Sequence, residues 1–211
     1  MKKNILLIAV LLVGCFTAYG QTAKEVLDHT AAALKKAGGV ETSFTIKMFV
    51  HNEPQGGTTG TIRLKDEKFL LESPETITWF DGETQWTYLV GSEEVNITNP
   101  TEEELQQINP YALLSIYKRG YTYVIGNTKT FQGKPVTEVV LTATDKKQEL
   151  AKINLYVNKA YQPVFIMAQL SDGSRSDITV NSYKAGVKYK ESLFVFDEKK
   201  YPQAEIIDLR F

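Results

Sequence analysis

The sequence predicts a mainly β domain with a few helices. Its expected form is a strongly curved, half-closed antiparallel β-barrel covered by a lid of short helices. Three observations predict it. From Ser43 onward, hydrophobicity alternates with period two through most of the chain. Asp81-Gly82 and Asp172-Gly173 stand between alternating runs, where a tight hairpin turn needs the positive φ that glycine supplies. Helical periodicity is confined to a few short segments. A sheet of roughly ten one-sided strands cannot stay flat and curls on itself.

The first 20 residues are set apart from the fold. Lys2 and Lys3 form a basic start, Ile5 to Val13 is an apolar run, and Ala18-Tyr19-Gly20 places small residues where a signal peptidase cleaves. The run is too short for an ordinary transmembrane helix. The expected division is a signal peptide over 1–20 and one domain over 21–211, with Gln21 as the mature N-terminus. Removal of the two lysines takes the formal charge of the 211-residue chain from −1 to −3. That mild acidity, without any Lys/Arg run, argues against a nucleic-acid partner. The one cysteine, Cys15, lies inside the signal, so the mature domain has neither a disulfide nor a thiol nucleophile. Leu12-Val13-Gly14-Cys15 also resembles a bacterial lipobox. In that second reading Cys15 is acylated and tethers the domain to a membrane.

Thr22-Ala23-Lys24-Glu25 matches a capping box. Val26, Leu27, Thr30, Ala33, Leu34 and Ala37 follow at helical spacing, and Gly38-Gly39 ends the helix. Phe44, Ile46, Met48 and Val50 then alternate with Ser43, Thr45 and Lys47, and Gly56-Gly57 reads as the next turn. Ile62 and Leu64 define a second strand; Phe69 and Leu71 define a third. Ile77 and Trp79 share a face, and so do Trp86 and Tyr88 across the Asp-Gly pair. Both tryptophans are expected on the inner face of this hairpin. A strand begins at Val95. Thr101 to Ile108 is read as helical, and Asn109-Pro110 opens a second short helix that Gly120 closes. Strands resume at Tyr121–Ile125, Lys129–Gln132, Val136–Thr144, Lys152–Val157, Pro163–Leu170 and Ser176–Tyr183. Leu193–Phe196 is a short run, and Glu205–Asp208 is the last edge.

No catalytic or metal constellation emerges. His29 and His51 are isolated, and no His/Cys/carboxylate cluster has ligand spacing. Glu102-Glu103-Glu104 suits a solvated helix N-terminus. The glycines at 56, 57 and 60 lack the helix that a phosphate loop requires. The chain is therefore read as a non-enzyme without cofactor or metal. Its candidate site is the inner face: Phe44, Ile46, Met48, Ile62, Leu64, Phe69, Leu71, Trp79, Trp86 and Tyr88, capped by Leu113 and Ile116 of the second lid helix. Met48 and Met167, flexible and polarizable, suit an adaptable apolar surface.

Several segments resemble the periplasmic outer-membrane lipoprotein carrier family, LolA-like proteins. They are Gly60-Thr61-Ile62-Arg63-Leu64-Lys65, Phe69, Trp79-Phe80-Asp81-Gly82, Gln85-Trp86-Thr87-Tyr88 and Glu94-Val95, in that order. Asn109-Pro110-Tyr111-Ala112-Leu113-Leu114 is similar to the family's Pro-x-x-Leu-Leu helix. Leu193-Phe194-Val195-Phe196, Pro202 and Ile206-Ile207-Asp208 resemble its closing pattern. Where the family has Lys-Arg-Pro, with the arginine latching the lid, this chain reads Lys65-Asp66-Glu67. The resemblance implies a periplasmic carrier whose inner cavity holds acyl chains of lipoproteins. It implies acylated lipoproteins as partners and an inner-membrane lipoprotein-releasing ABC transporter as donor. Two alternatives stand beside it: a tethered lipoprotein of the same fold, acting as acceptor or envelope-stress sensor, and a binder of another hydrophobic ligand.

Overall fold

The computed structural model describes residues 21–101, 104, 105 and 117–210. The capping box forms as expected. The Thr22 hydroxyl accepts from the Glu25 N–H at 3.2 Å, and the Glu25 carboxylate accepts from the Thr22 N–H at 2.8 Å. Helix α1 (Ala23–Ala37) buries Val26, Leu27, Thr30 and Leu34, and Gly38 at φ 72° ends it. Only a residue without Cβ adopts that conformation freely.

Six strands follow: β1 (Gly39–Val50), β2 (Glu53–Lys65), β3 (Lys68–Glu72), β4 (Thr76–Phe80), β5 (Gln85–Leu89) and β6 (Glu94–Thr98). Beyond Tyr117 come β7 (Tyr121–Ile125), β8 (Thr130–Phe131), β9 (Lys134–Pro135), β10 (Thr137–Ala143), β11 (Leu150–Val157), β12 (Pro163–Leu170) and β13 (Ser174–Ala185). The chain closes with 3-10 turns at Glu191–Phe194 and Glu198–Lys200, then β14 (Glu205–Asp208). The expected short run at Leu193–Phe196 is thus partly a 3-10 turn.

Twelve strands make one sheet in the order β14-β6-β5-β4-β3-β2-β1-β13-β12-β11-β10-β7, and β8-β9 form a separate ribbon. The sheet is large and curved, and its ladders are antiparallel except for β14 on β6. It is open: β14 and β7 are its two edges, and among the described residues no ladder joins them. The edge of β6 that could have closed a barrel is taken by β14. The Thr101 capping box is present, with the Thr101 N–H donating to the Glu104 carboxylate at 2.7 Å. The rest of the expected lid, including the Asn109-Pro110 helix, lies outside the described residues, as do 1–20 with Cys15.

Two turns differ from expectation. The β1–β2 turn is His51-Asn52, with φ of 50° and 69°, and Gly56-Gly57 lies within β2. Two consecutive left-handed residues make the primed turn that matches strand twist. Gly56 instead faces the register shift beside Met48. The Asp81-Gly82 turn is a four-residue loop, not a two-residue one. Asp81 Oδ1 accepts from the N–H groups of Glu83 and Thr84 at 2.9 and 2.8 Å, so the side chain organises the loop.

Each face of the sheet has its own core. The inner face carries Val40, Phe44, Ile62, Leu64, Phe69, Phe80, Val139, Leu141, Ile153, Leu155 and Val157, packed with the stripe of α1. The outer face of β3–β5 carries Leu70, Trp79, Ile77, Trp86 and Tyr88 under the C-terminal strap, whose Tyr189, Leu193, Phe194, Phe196 and Tyr201 cover them. A second outer cluster packs Phe131 of the ribbon edge-on against Tyr156 and tilted against Phe165, with ring centroids 5.6 and 5.0 Å apart. Met167 also faces outward, opposite Asp177 of β13, so it does not share the inner surface with Met48.

Candidate functional site

Register decides which expected residues meet. Across β1 and β2, Phe44 faces Gly60, Thr42 faces Ile62 and Val40 faces Leu64. Across β2 and β3, Ile62 faces Leu71 and Leu64 faces Phe69. On the other side of β1, Ile46 faces Ile178, which faces Ile166 of β12. Phe44, Ile46, Met48, Ile62, Leu64, Phe69 and Leu71 therefore share the inner face. Ile166 and Ile178 complete it, and the same period-two pattern in β12 and β13 carried the signal for them.

Trp79, Trp86 and Tyr88 are not on this face, contrary to the expectation. Leu70 pairs with Trp79, while Phe69 pairs with Phe80, so inward Phe69 sends Trp79 outward. Both arms of the hairpin keep the predicted alternation, with Trp79 opposite Trp86 and Ile77 opposite Tyr88. The face is the reverse of the expected one. Trp79 is 7% exposed because the strap covers it, with Phe196 and Tyr201 rings edge-on at 5.4 and 5.6 Å. Leu113 and Ile116 lie outside the described residues.

The inner face grades from closed to open. Phe69 is fully buried and Ile62 is 4% exposed, both within the core cluster that includes the stripe of α1. Ile46, Ile166, Ile178 and Leu71 are half-buried, and Met48 is 43% exposed. The Phe44 ring lies across Gly60, where a Cβ would stand 2.5 Å from its Cζ, so glycine makes room for the ring. Toward β6 the inner face turns polar: Thr78, Gln85, Thr87, Asn96 and Thr98 point inward by register. A separate cleft of about 360 Å³ lies at the fork between β2 and the β3–β4 turn, with Ser43, Thr61, Glu72, Ser73 and Asn181 in its mainly polar wall.

The ion-paired charges of β1–β3 and β13 lie on the outer face. Arg63 pairs with Glu41 at 3.1 Å and with Glu72; Lys184 also reaches Glu41 at 2.8 Å. The hydrogen bond from Lys184, aided by Arg63, holds the Glu41 carboxyl below its ordinary range. Near the lid segment, the Tyr117 hydroxyl donates to Asp28 of α1 at 2.5 Å. Burial, and then this bond, push its phenol up to about 12. His29 stacks on Tyr161 at 4.7 Å and His51 sits at a hairpin tip. Among the described residues no three His, Cys, Asp or Glu side chains gather as a metal site would require.

The family model for the outer membrane lipoprotein carrier protein LolA matches residues 13–173. An uncharacterized conserved protein from Thermus thermophilus has a similar structure, with TM-score 0.59 at 13% identity over 88% of this chain and 98% of that one. A putative outer membrane lipoprotein-sorting protein domain from Vibrio parahaemolyticus aligns with TM-score 0.47 at 12% identity, over 86% and 100% of the two chains. A LolA superfamily protein from Nitrosomonas europaea gives the same TM-score and identity over 84% and 99%. No curated protein sequence matches the chain. The likeness to the Thermus thermophilus protein speaks to the fold, and the sequence match over most of the chain speaks to descent: this protein belongs to the LolA outer membrane lipoprotein carrier family.

Proposed function

We propose that this protein is a carrier without catalytic activity. It shields the acyl chains of lipoproteins on the inner face of its sheet during their passage across the periplasm to the outer membrane. The observation that carries the reading is the half-exposed apolar strip of Ile46, Met48, Ile166 and Ile178 on the face that α1 leaves partly open. Burying an acyl chain is worth about 0.8 kcal/mol per CH₂, so a sixteen-carbon chain in water costs roughly 12 kcal/mol. A cargo with such chains needs an apolar surface that can also release it. A strip of aliphatic side chains with Met48 at its open end has that character. Residues 1–20 export the chain, Gln21 begins the mature form, and an inner-membrane lipoprotein-releasing ABC transporter hands over the cargo.

The test is co-elution of purified protein with an acylated lipoprotein and with the same lipoprotein lacking its lipid. The acylated form is expected to travel with the carrier and the unacylated form alone. Equal co-elution of both forms, or of neither, sinks the proposal. Mass spectrometry of the mature N-terminus tests the export step; an acylated start at Cys15 would replace the soluble carrier with the tethered form.

A further inference from the structure

Resting on the acyl-carrier reading, we propose that the polar end of the inner face is a second subsite. It is built for the neutral polar junction of a lipid: ester or amide carbonyls with a free N–H or O–H. The inner face of β1–β3 and β11–β13 is mostly apolar, but across β4–β6, beside Phe80, Leu89 and the Glu94 carboxylate, it becomes a ladder of hydroxyls and amides. Thr78 Oγ1 lies 3.5 Å from Thr87 Oγ1, and Gln85 Nε2 donates to Thr87 Oγ1 at 3.2 Å. Asn96 stands next to Thr87 on β6. Thr78 is buried and Thr87, Gln85 and Asn96 are half-buried, so this is not a solvated edge.

The cluster is incomplete. Gln85 Oε1 is buried and has no hydrogen-bond partner among the described residues. Turning the amide over exchanges its two atoms and leaves the nitrogen orphaned instead. A buried amide atom without a partner is unfavourable, and a ligand group can supply one. The Thr78 and Thr87 hydroxyls, free to rotate, can donate to a carbonyl.

Charge sets the class of ligand. The strands carry their lysines and arginines outward: Lys47, Arg63, Lys65, Lys68, Arg175 and Lys184 all take outer positions by register. Thr78, Thr87, Gln85 and Asn96 offer no cation. A phosphate there would be desolvated without the charge-assisted donors it needs. A glyceride ester, or the ester and amide linkages of an acylated N-terminal cysteine, fits without that cost. Ile46 and Thr78 point to the same face of one sheet, with β2 and β3 between them: Thr78 aligns through Leu71 and Ile62 with Thr42, four residues before Ile46 on β1.

The experiment displaces the apolar dye N-phenylnaphthylamine from the purified protein with three ligands. These are 1-oleoylglycerol, its phosphate, and a triacylated cysteinyl lipopeptide. The two neutral ligands are expected to displace the dye at about tenfold lower concentration than the phosphate, the size expected of a pair of net hydrogen bonds. Displacement by only one of the two neutral ligands with this advantage identifies the source of the junction. The Thr78→Val, Thr87→Val double variant should erase the advantage, read as the ratio of neutral to phosphate displacement so that a change in dye affinity cancels. Gln85→Leu provides the same readout should the double variant melt early. Equal displacement by neutral and phosphate ligands, or an advantage that survives both variants, overturns the subsite alone. If the dye binds and no acylated ligand displaces it, the carrier reading falls and the subsite with it.

Discussion

Glu191 ties the C-terminal strap to the sheet. Its carboxylate accepts from Lys65 and, at 2.5 Å, from Lys68. These bonds, from Lys65 first, pull its carboxyl down to about 2, against an ordinary value of 4.5. Because the folded value is the lower one, the stabilisation is full above about 4.5 and fades as pH falls toward 2. A Glu191→Gln variant should therefore melt below the wild type at pH 6, and the gap should close as both are taken from pH 4.5 to pH 2. A gap that stays constant with pH would show that Glu191 acts by shape and not by charge. The residue is exposed, so the effect is modest and should shrink in high salt. Lys65 and Lys68 flank Asp66-Glu67, the segment where the family's latch arginine is replaced. In this chain the flanking lysines hold the strap.

At the scale of elements, alternation is legible and its polarity is not. The capping box of α1, the bounds of β7 and β12, and the shared face of Trp79 and Trp86 all follow from sequence pattern. A period of two says which side chains share a face, but not which face is inside. The missing clue was Phe69-Leu70-Leu71, three apolar residues in a row. A one-sided strand has no use for Leu70, whereas a strand covered on both faces does. The second cover is the strap, whose Phe194 is fully buried. Phe194→Ala should cost about 3–5 kcal/mol, as large aromatic truncations in cores do. It should also shift Trp79 and Trp86 emission to the red in the still-folded fraction. Acyl ligands should leave the emission of the wild type unchanged, since both rings lie on the outer face. A ligand-induced shift in the wild type would place at least one ring on the binding face and reverse the register argued above.

For the molecule as a whole, one apolar face is closed in one part and open in another, and burial draws the line. In the core cluster that includes the stripe of α1, Leu141 is 2% exposed and Ile62 is 4% exposed. Outside that cluster, Met48 is 43% exposed on the same face of the same sheet. Sequence alone could not draw this line, because Ile62 and Met48 occupy equivalent alternating positions; what separates them is that Ile62 is packed into the core cluster and Met48 is not. The division predicts opposite outcomes for one chemical change. Leu141→Glu and Ile62→Glu bury an unpaired charge and should leave the domain unfolded at room temperature. Met48→Glu keeps its carboxylate in water and should change stability by no more than about 0.5 kcal/mol, as surface substitutions do. It should nonetheless weaken acyl binding severalfold, because the charge sits where the chain must lie. Thermal melts and dye titrations on the three variants decide the matter. A Met48→Glu protein that melts normally and binds normally would move the acyl chain off this strip. An Ile62→Glu protein that stays folded would mean the space around Ile62 is a cavity and not a core.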